Sequence, residues 1–192
     1  MSEQRGSDRI IASYHDLNPD SRDEWVSIYR PCWKKLLATD AETMGEALDL
    51  VSEREQTLLL VGLLIHDVDN GGIDQWLYNE PGDRAQETLE ALKRIGSTKT
   101  YDLLAKAISL FPPEALPRDR QKRMKVMVEF EEKHPRVEEE LFRLSMQFYE
   151  TGENIIDLAI AYWRSTEPRY PPESVGGDPD QPADGERKKT TP

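Results

Sequence analysis

The sequence predicts an all-α protein: a single-domain multi-helix bundle with a buried central helix and a disordered C-terminal tail. Three observations carry that expectation. Apolar residues recur at three- and four-residue steps through most of the chain, while strand-like alternation is scarce. The segment from Leu58 to Ile65 is apolar on every side, as a helix surrounded by others must be. From Glu167 onward the composition turns to Pro, Gly and charge, which cannot bury enough surface to offset ordering. The 192 residues suffice for one sizeable core. The expected divisions are a partly helical segment over 1–18, an acidic helical domain over 19–166 and the tail over 167–192.

Taken in order, Trp25, Ile28, Tyr29, Cys32 and Leu36 mark a first helix that Pro31 should kink or split. Met44, Leu48 and Val51 continue the period up to the central helix. The run Asp67 to Gly72 then reads as its terminus, with Gly71 and Gly72 both at positive φ, followed by a short helix through Trp76. Between Asp83 and Ile95 the stripe is Ala85, Leu89, Leu92 and Ile95, stopped by Gly96. Ser97 is placed to cap the next helix, whose inner face is Tyr101, Leu104, Ala105 and Ile108, before Pro112 and Pro113. Three amphipathic helices complete the domain. Met124, Met127 and Val128 should point inward on the first of them, and Val137, Leu141, Leu144 and Phe148 on the second. The third buries Ile155, Ile156, Ala159, Tyr162 and Trp163.

Acids outnumber bases 37 to 25, for a formal charge of −12. The tail holds six of those acids and four of the bases, so the acidity belongs to the folded body. Such a surface repels nucleic acid, whose binding draws on Lys and Arg against phosphate, and favours basic protein partners. With Cys32 the lone cysteine, no internal disulfide can form; the N-terminus has no apolar leader, and no run approaches a membrane span. A cytoplasmic, non-membrane protein is expected.

Candidate chemistry is sparse. Asp67-Val68-Asp69-Asn70-Gly71-Gly72-Ile73-Asp74 begins like a calcium loop, but Gly71 stands at the fifth position and Tyr78 where a bidentate Glu is needed at the twelfth. His66-Asp67 matches the paired ligands of an all-helical metal-dependent hydrolase, which needs a further upstream His; His15 is available but distant. No phosphate loop, nucleophile elbow or metal-spaced Cys/His cluster occurs, and Cys32 lies on an apolar stripe. The expectation is therefore no enzyme, no cofactor and no metal. Glu129, Glu131, Glu132, Glu138, Glu139 and Glu140 are the candidate partner-binding residues. On helices, carboxylates three or four positions apart lie about 5 to 6 Å from one another, comparable to phosphates along a nucleic-acid strand. The competing reading is a solvated face with pairs such as Glu139 and Arg143.

The stretch Val68 to Asn79, with Gly82, then Leu89 to Gly96 and Phe111-Pro112, resembles the signature of the bacterial DNA-mimic protein family over roughly Trp25 to Ser165. The resemblance implies an acidic all-helical protein, dimeric, whose surface carboxylates imitate DNA phosphates and occupy the DNA-binding face of a transcription factor. Asp69, Asn70, Gly71, Gly72, Gln75, Trp76 and Asn79, which carry the motif, are assigned to architecture. The expected function is an acidic protein-binding module toward a basic nucleic-acid-binding protein. An inhibitor or immunity-type protein is the alternative, and a metal-dependent hydrolase the third.

Overall fold

The computed structural model of the chain describes residues 19–112 and 116–166, and the regular structure among them is all helical. The segment 1–18 with His15, the residue Pro113 and the tail over 167–192 lie outside the described residues. The helices are α1 (Pro19–Leu37), α2 (Met44–Asp49), α3 (Glu53–Tyr78), α4 (Ala85–Ile95), α5 (Thr98–Ser109), α6 (Arg120–Lys133), α7 (Arg136–Glu150) and α8 (Ile155–Ser165), with a 3-10 turn at Glu80–Arg84.

The expected central helix is the first part of α3. Every residue from Thr57 to Ile65 is buried, and α1, α4, α7 and α8 pack around it. Ser52 and Glu55 start it with a reciprocal capping box, so two N-terminal backbone donors are satisfied before the apolar run begins. Gly62 lets α1 approach closely: a Cβ there would stand 2.2 Å from the Tyr29 ring. Tyr29 in turn stacks between Trp25 and Trp33 at centroid distances of 5.0 and 6.2 Å. The Arg54 guanidinium lies 3.5 Å over the Trp163 ring and donates to the Trp163 carbonyl, which ties α8 to α3.

Most apolar stripes fall where the periodicity places them. Ala85, Leu89, Leu92 and Ile95 are buried on α4, and Gly96 ends it with φ of 78° while its successor's N–H bonds the Leu92 carbonyl. Val137, Leu141, Leu144 and Phe148 are buried on α7, and Ile155, Ile156 and Ala159 on α8.

Three expectations are corrected. Pro31 does not split α1, which runs unbroken through it; Pro31 and Ser27 are both exposed, so the carbonyl that loses its donor faces water. Ser97 makes no side-chain cap on α5. Its buried hydroxyl donates instead to the Glu153 carboxylate at 2.6 Å, and Glu153 caps α5 from the α7–α8 loop by accepting from the Thr100 N–H and hydroxyl and the Lys99 N–H. On α6 the inward residues are Arg123 and Met127, with Val126 and Phe130 partly buried against the core, whereas Met124 and Val128 are exposed, because the buried arginine sets the helix's inward face.

Burial works to raise the Glu153 pKa, yet the hydrogen bonds from Ser97, Thr100 and Lys99 outweigh it and hold the carboxyl below its ordinary 4.5. A depressed acid stabilises the fold above its unfolded pKa and loses that contribution as pH falls through the folded value. Glu153→Ala is thus expected to cost about 2 kcal/mol at pH 7, by stranding the buried Ser97 and Thr100 groups. The difference from wild type in urea denaturation should shrink below pH 4.5, where wild type loses the same interaction.

Candidate functional site

The motif that opens the functional question sits inside α3. Helical dihedrals fail at two residues, Gly71 (φ −168°, ψ 17°) and Gly72 (φ 90°, ψ −178°), so α3 is two helical pieces joined at a kink. Only Gly72 takes positive φ; Gly71, expected there too, has an extended φ open to any residue. Two side chains one turn apart on α7 repair the break. Ser145 Oγ accepts the freed Ile73 N–H at 2.9 Å, and the Tyr149 hydroxyl donates to the Val68 carbonyl at 2.5 Å. The Asn70 amide donates back to the His66 carbonyl at 2.7 Å, Gln75 packs over Gly71, and Trp76 is fully buried in the core. Asn79 caps α3: its N–H bonds the Gln75 carbonyl and its side chain receives Arg120.

A test of this geometry contrasts the glycines. Gly72→Ala should cost about 2 to 3 kcal/mol, because its dihedrals are open to glycine alone. Its Cβ would also come within 2.8 Å of Ser145 Oγ. Gly71→Ala should cost less, since its Cβ meets chiefly the movable end of Gln75. Equal melting temperatures for the two variants would contradict this assignment.

The kink places acids from three helices together. Tyr78, at the end of α3, donates to Glu131 on α6 at 2.6 Å. Its phenol is pushed up by burial, then by Glu131, and further by the charges of Asp74 and Glu138. Glu131 is itself raised, by burial first and by Glu138 and Asp74, against the Tyr78 hydrogen bond. Tyr149 is raised by burial and by Asp69 and Asp74, and burial lifts Asp69 to about 6. Asp69, Asp74, Glu131 and Glu138 therefore share one field, and among the described residues no Lys or Arg lies within ion-pair distance of them.

Of the six candidate glutamates the structure gathers only some. Glu132, Glu138 and Glu139 are exposed with no ion pair to a described residue, and Glu131 belongs to the cluster through Tyr78. Glu129 has Lys125 at 4.0 Å. Glu140 is the neutralised member, bonded by Arg143 and by Lys106 from α5, which together lower it to about 2. Arg143 thus pairs with Glu140 and not with Glu139. Sequence reasoning missed Asp74, whose place in the face comes from the kink. Elsewhere some acids are paired, as Glu24 with Arg164, Glu53 with Arg94, Glu55 with Lys35 and Glu90 with Lys93, while others such as Asp23, Asp102 and Glu150 stand singly at exposed positions. What sets the junction of α3, α6 and α7 apart is that its acids lie close enough to act on one another and on the tyrosines between them.

Beside that face α7 presents Phe142, 68% exposed, and Met146, 44% exposed, on the same side as Glu138. Residues 67–70 are helical, so they do not form a wrapped calcium loop, and among the described residues no three His, Cys, Asp or Glu side chains converge to hold a metal. Cys32 is buried in the core, where burial raises its thiol to about 11. No helix among the described residues is long and apolar enough to cross a membrane.

A family model described as DMP19-like protein matches residues 49–166, from the end of α2 to the residue after α8. The match contains the kink, the acidic face and the helices that hold them, and leaves α1 outside. No curated protein and no solved structure matches the chain.

Proposed function

The chain belongs to the DMP19-like protein family, and from that premise we propose that it is a non-enzymatic, acidic protein-binding module that occupies the basic DNA-binding surface of a nucleic-acid-binding protein. The observation that carries this reading is the cluster of Asp74, Glu131 and Glu138, contributed by three helices, acting on one another and on Tyr78 and making no ion pair to a described Lys or Arg. Exposed Glu132 and Glu139 extend it. Carboxylates fixed on rigid helices at phosphate-like spacing offer a basic groove the charge pattern it expects from DNA.

The binding should be strongly salt-dependent, since exposed charges lose each other as the Debye length falls from about 10 Å at 0.1 M to about 3 Å at 1 M salt. Capture of partners from native lysate on the immobilised chain, at these two salt concentrations, tests it. Basic nucleic-acid-binding proteins retained only at low salt are the expected result; retention of neutral or acidic proteins that ignores salt would count against the proposal.

A second reading, an inhibitor or immunity-type protein for one enzyme or toxin, is favoured by Phe142, whose exposed ring beside Glu138 is the kind of anchor such interfaces bury. Phe142→Ala discriminates. Under the leading reading it weakens binding less than neutralising the acids does, and under the second the order reverses.

A further inference from the structure

A cavity of about 300 Å³ lies between α1, the middle of α3, the 3-10 turn and the start of α6. Its floor includes Asp67, which stands about 200° around a helix of 3.6 residues per turn from Asp69, so this cavity faces away from the acidic cluster. Asp67 is only 6% exposed. The Asn79 amide hydrogen-bonds to the carboxyl, but Oδ2 has no hydrogen-bond partner among the described residues. A buried carboxyl oxygen left without a donor is costly, and native proteins rarely keep one without a use. Here it borders a space large enough for a small ligand.

The remaining walls say what that ligand is. Trp33, Leu63 and Pro81 supply apolar and aromatic surface, and Glu80 adds a second carboxylate at the rim. Of the basic groups that line the cavity, Arg120 is engaged with the Tyr78 carbonyl at 3.1 Å and the Asn79 side-chain oxygen at 3.4 Å, and the His66 ring lies 3.3 Å from the Asn70 amide. Two acids, an aromatic wall, a committed arginine and a histidine beside Asn70 fit a donor-bearing cation, not an anion.

We propose that this cavity binds a small ammonium compound carrying an apolar or aromatic group, with the ammonium donating to Asp67 and the apolar part lying against Trp33 and Leu63. The ammonium belongs either to a simple amine or to an α-amino acid, whose carboxylate would reach toward Arg120. The site is independent of the acidic face, and either proposal can fail alone.

The test is a two-dimensional NMR titration of the full chain with phenethylamine, phenylalanine and the uncharged phenethyl alcohol, following the Trp33 indole and Asn79 side-chain signals. Saturable shifts with phenethylamine, and none with the alcohol, are the expected result. Matching or tighter binding of phenylalanine also supports the site and identifies the amino acid as the source. Asp67→Asn, which keeps the shape, should weaken binding about ten-fold or more by removing the charge-assisted hydrogen bond. Glu80→Gln, at an exposed position where folding is not at stake, should weaken it about three-fold. The proposal is overturned if neither charged probe gives a saturable shift, if the alcohol binds equally well, or if the folded variants bind as wild type does.

Discussion

Arg123→Met is expected to destabilise the chain by about 3 to 5 kcal/mol, the range for stripping one partner from a buried charge pair. Arg123 is 0% exposed and is the means by which α6 is fastened to the bundle. Its guanidinium donates to the Leu77 carbonyl at 2.7 Å and the Asn79 carbonyl at 2.7 Å, to the Pro117 and Arg118 carbonyls, and to Asp83. Leu77 and Asn79 lie at the C-terminal end of α3, where carbonyls lack helical partners and the helix dipole is negative, so an arginine from another helix serves there as the cap. Methionine preserves bulk but strands the Leu77 carbonyl and the Asp83 carboxylate, while the Asn79 carbonyl keeps the Gly82 N–H. Met127, with partly buried Val126 and Phe130, would then be left to hold α6 by apolar contact. Urea denaturation measures the loss, and amide exchange should show α6 opening first. A midpoint within error of wild type would mean that α6 is held by something else.

Neutralising the acidic face through Asp74→Asn, Glu131→Gln and Glu138→Gln together is expected to weaken partner binding by about ten- to a hundred-fold at low salt. Repulsion among these groups in the free protein means that the variant should fold at least as well as wild type, since burial and mutual charge already push Glu131 upward. A matched control changes Glu24, Glu53 and Glu90 to Gln, acids that Arg164, Arg94 and Lys93 already neutralise on other surfaces. Equal net-charge loss per site with little effect on binding is expected there. Identical losses in the two variants would show that overall charge acts and that the face has no special role. The salt dependence should flatten in the first variant alone.

The helical phases of α4, α7 and α8 were readable from the sequence because a 3.6-residue apolar period is a local property. Leu58 to Ile65 likewise declared its burial by lacking a polar side. What escaped depends on contacts between distant residues. The inward face of α6 was misread because Arg123, a residue that apolar patterning skips, meets carbonyls more than forty positions away. Which glycine of the pair adopts positive φ is decided by Ser145, placed opposite the kink by α7. The acidic face was half legible: the run from Glu129 to Glu140 marked its α6 and α7 edges. Nothing local indicates that Asp74 joins it or that Lys106 from α5 withdraws Glu140. Motif residues read as architecture, among them Asn70, Gly72, Trp76 and Asn79, do sit at the kink, the core or the helix end.

Under the proposed function, the carboxylates of α3, α6 and α7 stand in for DNA on the partner's surface. The direct measurement is a competition in which the isolated partner, bound to labelled double-stranded DNA, is titrated with this chain. The chain is expected to release the DNA in a mutually exclusive exchange, and the variant lacking Asp74, Glu131 and Glu138 carboxylates to fail to do so at the same concentration. A ternary complex of partner, DNA and chain, or release of DNA that the variant accomplishes equally well, would contradict it.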